Sequence, residues 1–337
     1  MKMANHTMQR LTLRVLWAIG LGCFTLARVQ ADPPFSGTIF VDPDIIVASD
    51  PTTFKSVVGA GQGNRWMFDR RVNAWVYLNA FLFNASYSDG LGIEIQVNPE
   101  FGDQATALAE AAKYAPVIGR LPTCLRTGVQ TVWIHKGTQP FGGGNNNLLI
   151  HTGQADQYAA SGILEETLVH EATHTSLDAA QAGAPGWIAA QAADNEFIST
   201  YARDNPDRED LAESFLLYLA LRHRSDRISL SVSNTIARTI PHRIACLDGL
   251  GLDMNPVVPR TRPRVTGFTY DSAAGTVSLT WTTRSNAHYA VDISTNLIVW
   301  EGLATNVTST GASASLVCSN SLPRARAFFV VRELTQP

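Results

Sequence analysis

Leu168-Val169-His170-Glu171-Ala172-Thr173-His174-Thr175-Ser176-Leu177 decides how this chain is read. Inside it stands an H-E-x-x-H pentapeptide, His170 to His174. On a helix, residues four apart lie on one face, one turn from each other. Two imidazoles so placed can meet one Zn²⁺, and the glutamate between them can reach a water on that metal. The chemistry predicted is hydrolysis, most often of a peptide bond. The flanks favour a buried helix, because Ile163, Leu164, Leu168, Val169, Ala172 and Leu177 spread around it rather than form one stripe. Two histidines and a glutamate are costly in such a helix unless they are paired or coordinate something. Ser161 is the expected N-cap, with Glu165 and Glu166 in the first turn, where the helix dipole favours acids.

A catalytic zinc site takes three protein ligands and leaves one position for water. The best source of the third is the stretch from Asn205 to Leu219. Asn205 is the expected N-cap and Pro206 the first helical residue of a helix over 207–224. Leu211, Phe215, Tyr218 and Leu219 form its core-facing stripe. Glu209 and Glu213 stand four apart on a different face, so both can look toward the metal. One would bind it while the other holds a ligand histidine in place. Asp178, one turn after His174, reads as a support for the helix or for a ligand. Asp194 and Glu196 are weaker rivals.

With these residues in hand a resemblance can be stated. H-E-x-x-H followed by Tyr201-x-x-x-Asn205 and Glu209-Asp210-Leu211-Ala212-Glu213-Ser214-Phe215 resembles the lethal-factor-like branch of the zincin metallopeptidases, over about residues 145–225. That branch carries a Y-x-x-x-N-x-x-E-x-F-A-E-x-F run. The resemblance implies Glu209 as the third zinc ligand beside His170 and His174, with Glu213 behind the ligands. It implies Glu171 as general base and Tyr201 as a helper to the oxyanion. This chain has one more residue between Asn205 and Glu209, and Leu211 where the branch has Phe. The fold expected is α+β: a zincin-like catalytic domain with a mixed β-sheet upper lobe and a helical lower lobe, then a small all-β sandwich. The function expected is a secreted zinc metallopeptidase acting on a peptide or protein. Two alternatives stand beside it. One is a non-catalytic binding protein on a zincin scaffold, against which the intact Glu171 argues. The other is a zinc amidase cutting cell-wall peptide crosslinks.

The rest of the chain sets boundaries. At 337 residues it has room for one domain and a smaller one. A hydrophobic fraction of 45% is ordinary for a chain with a real core, and a net charge of −3 without basic runs argues against nucleic acid. Arg10 and Arg14 precede an apolar run over 15–27, and Val29-Gln30-Ala31 ends in a small residue. Residues 1–31 thus read as a secretory signal peptide, with export and no membrane span after cleavage. Cys124, Cys246 and Cys318 then remain; a Cys124–Cys246 disulfide and three free thiols are both open.

Residues 32–255 form the expected catalytic domain, strand-rich over 32–100. Strands are predicted at 74–83, 92–97, 129–134 and 148–151, and helices at 103–119, 187–200 and 207–224, with a helical break at Pro241. Gly142-Gly143-Gly144-Asn145-Asn146-Asn147 reads as a flexible loop at the cleft mouth. The strand after it is expected to edge the cleft, where an extended peptide can pair with it. His135 and His151 read as structural. A linker is expected over 256–264 and a β-sandwich over 265–337. By pattern the sandwich resembles fibronectin-III-like modules, which implies attachment to a surface or polysaccharide. Trp281 and Trp300 are either a sugar platform or core residues.

Overall fold

The computed structural model describes residues 32–194, 196–258, 263–283, 287–319 and 326–334. The signal peptide expected at 1–31 lies outside the described residues. Regular structure begins with a hairpin of β1 (Phe54–Asp69) and β2 (Ala74–Tyr87). β1 bulges between Gly59 and Gln62, where Gly61 takes φ 82°, and the bulge bends the long ribbon. β3 (Gly92–Val97) pairs antiparallel with β2. α1 (Gln104–Ile118) is capped by the Asp103 carboxylate, which accepts from the Thr106 amide at 2.8 Å. The short α2 (Thr123–Arg126) leads on to β4 (Thr131–His135), parallel to β3. β5 (Gly142–Gly144) and β6 (Asn147–His151) form a second hairpin, with β6 parallel to β4. The result is a mixed six-stranded sheet in the order β1-β2-β3-β4-β6-β5.

Strand side chains divide with period two. Phe83, Ile95, Val132, Ile134, Leu148 and Ile150 face the main core. Leu82, Trp133 and Leu149 face the other way, into a smaller cluster with Met67. After α3 (Thr152–Ala160) comes α4 (Leu164–Ser176), which carries the two motif histidines. Its Thr167, Val169, Thr173 and Thr175 are β-branched and each weakens a helix by up to about 0.7 kcal/mol. Burial of Leu168 and Val169, about 1.5–3 kcal/mol each, outweighs that, so packing holds α4 rather than propensity.

The helical half continues through α5 (Asp178–Gln181), α6 (Pro185–Ala193), α7 (Thr200–Asp204), α8 (Asp210–His223), α9 (Leu230–Thr239) and α10 (Pro241–Gly249). α8 is buried from Asp210 to Ala220, and α4 packs against both it and β5–β6. The C-terminal part is all-β. β7 (Val265–Asp271), β8 (Thr276–Thr282), β9 (His288–Ser294), β10 (Glu301–Thr308), β11 (Ser313–Ser319) and β12 (Phe328–Leu334) make two three-stranded antiparallel sheets. They share a core of Val277, Leu279, Trp281, Tyr289, Val291 and Val331. The chain is therefore α+β, followed by a small all-β sandwich.

Several local expectations are corrected. Ser161 does not cap α4; it ends α3, and Gly162 at φ 68° turns the chain before α4 starts. The helix expected over 187–200 stops at Ala193, because the Asp194 carboxylate is taken by the side chains of Arg243 and His242. The helix expected from 207 starts at Asp210. Asn205 ends α7, and its carbonyl accepts from the Arg208 and Glu209 amides in a separate turn. Gly142–Gly144 is the sheet's edge strand rather than a loop, so β6 is an inner strand. Residues 32–53 hold no strand or helix. They strap the helical half, with the Ile46 amide donating to Glu166 Oε1 at 3.0 Å and Arg227 Nη2 donating to Asp50 Oδ1 at 2.7 Å. The strands of 54–97 belong to the same sheet as the rest. Val257, inside the expected linker, is buried in the main core. Cys124, Cys246 and Cys318 are all free thiols. Trp281 is a core residue, which removes it from any exposed platform with Trp300.

Candidate metal centre

One turn apart on α4, His170 and His174 bring their Nε2 atoms to 3.2 Å from each other. Glu209, at the start of α8, places Oε2 at 3.3 Å from the first and 3.1 Å from the second. The three atoms form a nearly equilateral triangle. A tetrahedral ion with bonds of about 2.0–2.1 Å needs ligand atoms about 3.3–3.4 Å apart. His170, His174 and Glu209 therefore fit a small cation and leave its fourth position open.

The opposite ring nitrogens are also engaged. His174 Nδ1 lies 2.7 Å from Asp178 Oδ2. His170 Nδ1 faces Glu213 Oε1 at 3.3 Å, an ionic contact longer than a good hydrogen bond. A carboxylate behind each ring fixes its orientation and turns the Nε2 lone pair toward the centre. Glu213 is itself held. The Ser199 hydroxyl donates to its Oε2 at 2.7 Å, and the Thr38 hydroxyl donates to its Oε1. Ser199 also accepts from the Ala202 amide at 3.0 Å, so one hydroxyl both caps α7 and orients Glu213.

The electrostatics call for positive charge. Burial opposes a charged His170, but Glu209 and Glu213 outweigh it and push the imidazole up to about 10. Burial likewise opposes charge on His174, and Asp178 and Glu209 push it up to about 9. Burial raises Glu209, yet the two imidazoles hold its carboxyl far below the usual range. Either two ring protons or a cation in their place satisfies this cluster.

The open side of the triangle faces a cleft of about 650 Å³, lined by His170, His174, Glu209, Glu171 and Tyr201 among others. Tyr201 is 37% exposed. Burial, then the negative charge of Glu209, pushes its phenol up to about 12. Ile39 lines another wall with φ 50°, a conformation costing a β-branched residue about 1–2 kcal/mol. β5 forms the wall nearest Glu171. A Cβ on Gly143 would stand 1.9 Å from the Glu171 carbonyl oxygen, so only glycine lets the strand approach this closely. Thr175 Oγ1 stitches the contact, accepting from the Gly144 amide at 2.8 Å and donating to the Asn147 carbonyl at 2.8 Å.

The residues singled out in the sequence come together here. His170, His174 and Glu209 form the triangle, Glu213 and Asp178 stand behind the rings, and Glu171 and Tyr201 line the cleft. The extra residue between Asn205 and Glu209 is absorbed by the turn before α8, which leaves Tyr201 beside Glu209. Thr38, Ser199, Gly143 and Arg243 were not foreseen. Arg243 is fully buried and joins Asp194 Oδ2 at 3.0 Å to Asp210 Oδ2 at 2.9 Å, pinning α8 next to Glu209. Ser199-Thr200 carries a capping signal that could have been read; Thr38 reaches Glu213 from far along the chain and carries none. His135 and His151 are buried and stacked on each other. No helix among the described residues is long and apolar enough to cross a membrane. No protein-family model matches this chain, and no curated protein is significantly similar to it.

Proposed function

We propose that His170, His174 and Glu209 hold Zn²⁺ and that the protein is a secreted zinc-dependent metallopeptidase. The observation that carries this reading is the 3.1–3.3 Å triangle of ligand atoms opening onto a cleft that contains Glu171. Two imidazoles and one carboxylate are a donor set that zinc accepts. Bound there, zinc supplies a Lewis acid for water and for a substrate carbonyl.

The chain's own groups do the rest. Glu171 accepts a proton from the attacking water and passes it to the leaving amine nitrogen. The Tyr201 phenol, neutral with its pKa near 12, donates to the oxygen on which negative charge develops. β5, the edge strand and unpaired on its outer side among the described residues, offers backbone groups to an extended peptide. Asp178 and Glu213 keep the two imidazoles aimed. The arginine-flanked apolar run before Ala31 supports export, and the C-terminal sandwich is the part suited to attachment to a surface or polysaccharide.

Metal analysis combined with a peptide-library digest tests the reading. Wild-type protein and Glu171→Gln are expected to carry equal zinc, about one ion per chain, with cleavage reduced by about 10²-fold or more in the variant. A fully active Glu171→Gln protein, or wild-type activity that survives complete zinc removal, refutes it.

A further inference from the structure

The reading of the cleft as a peptidase site is the footing for an inference about its substrate class. Two arginines line that cleft, Arg70 and Arg208. Both residues are exposed, and among the described residues neither side chain makes an ion pair or hydrogen bond. Elsewhere Arg65, Arg71, Arg120, Arg126, Arg227 and Arg243 each meet a carboxylate. A lone exposed arginine means little, since water solvates it well. Two of them on one cleft, approaching from different elements, are a different matter.

Arg70 belongs to the β1–β2 turn. Its Nη2 lies 2.9 Å from where a Cβ on Gly142 would stand, so the guanidinium covers the edge strand at a place with no side chain. Arg208 directly precedes Glu209 in the turn into α8. Some nearby carboxylates are taken, whereas Glu171, which also lines the cleft, makes no ion pair with Arg70 or Arg208 among the described residues. Asp178 faces His174, Glu209 lies between the imidazoles, and Glu213 is held by Thr38 and Ser199. Asp207 also lines the cleft, and among the described residues it makes no ion pair with Arg208. The cleft thus offers two planar, always charged forks that match carboxylate geometry, beside a centre where Glu209 is the one charged ligand and a bound Zn²⁺ would keep a net positive charge. We infer that the cleft takes carboxylate-bearing peptides, with Arg70 and Arg208 as its specificity-determining contacts. The carboxylates can come from Asp and Glu side chains or from a free chain terminus.

The zinc-loaded full chain is given decapeptide mixtures that contain Asp and Glu, or Asn and Gln in their place, each with a free or an amidated C-terminus. Cleavage by the wild type is read by mass spectrometry. Binding to zinc-loaded Glu171→Gln is read by fluorescence anisotropy. The acidic mixtures are expected to be preferred by about fivefold for each arginine engaged. Arg70→Gln and Arg208→Gln each lower the ratio, and the double variant brings it to about one. Arg238→Gln, exposed on α9, leaves the ratio as it was. A preference that follows amidation rather than the side chains assigns the carboxylate to the chain terminus. A wild-type ratio near one, or a preference that survives in the double variant, overturns the inference. Cleavage without acidic preference sinks it and leaves the peptidase standing. Arginine-dependent acidic binding without cleavage by the wild type does the reverse. Neither cleavage nor binding of any mixture overturns both.

Discussion

Glu166 stands one turn before His170, fully buried, with Oε1 accepting from the Ile46 amide and Oε2 unpartnered. Burial pushes its carboxyl up to about 7. Between its unfolded value near 4.5 and this raised value, the folded protein binds the extra proton. Stability from this group is therefore fully present below pH 4.5 and is lost as pH rises through 7. Glu166→Gln keeps an acceptor for Ile46 and removes the charge. It is expected to raise stability at pH 8 by up to about 3 kcal/mol and to change little at pH 4.5, as read from urea unfolding at the two pH values. A variant less stable than wild type at pH 8 would show that Glu166 is held as a carboxylate. At this scale the sequence was most legible where function concentrates residue types. Helical spacing drew attention to His170, His174, Glu209 and Glu213 but left the two glutamates interchangeable; the resemblance singled out Glu209, which stands just before α8. Thr38 and Ser199 were hidden because a hydroxyl signals nothing until its partner is known.

Among the elements, the decisive contact is β5 against α4. Gly143→Ala must move either the strand or the helix, since the new methyl would overlap the Glu171 carbonyl. The expected loss is about 3 kcal/mol by denaturant unfolding and, on the proposed function, reduced peptide cleavage because Glu171, the proposed general base, shifts. Gly183→Ala, where a Cβ meets nothing within 4 Å, is the control and is expected to stay within about 0.5 kcal/mol. Equal stability of the two variants would mean the strand is free to retreat. This element was misread as a flexible loop because a glycine run looks the same in sequence whether it serves mobility or close approach. Only the helix it touches distinguishes the two. α1 was legible to within a residue at each end, from the Ala, Leu and Glu content of 103–119 and Pro122 beyond it. The ends of α6 and α8 were not, because buried Arg243 takes Asp194 and Asp210 and tertiary contacts decide where those helices stop and start.

Across the whole molecule, a cation at the triangle would join α4 to α8 and so tie the sheet's helix to the lower helices. Metal removal is expected to lower the melting temperature in a way that depends on pH. Without metal, the raised imidazole values mean that protons on His170 and His174 stabilise the fold fully below about pH 6.5. That contribution is lost as pH rises through about 9 and 10. The melting-temperature gap between zinc-loaded and chelated protein should therefore widen from pH 6.5 to pH 9 in calorimetry. A gap that narrows would mean that the rings do not exchange protons for the cation. The α+β architecture and the terminal sandwich could be read from alternation and turn residues, whereas the strap over 32–53 could not, having no periodicity to betray it. One seam also limits redesign. Where Gly143 lies backbone to backbone on the helix, the cleft wall has no slack, and a library meant to change selectivity would do better to vary Arg70 and Arg208 than the tripeptide beside Glu171.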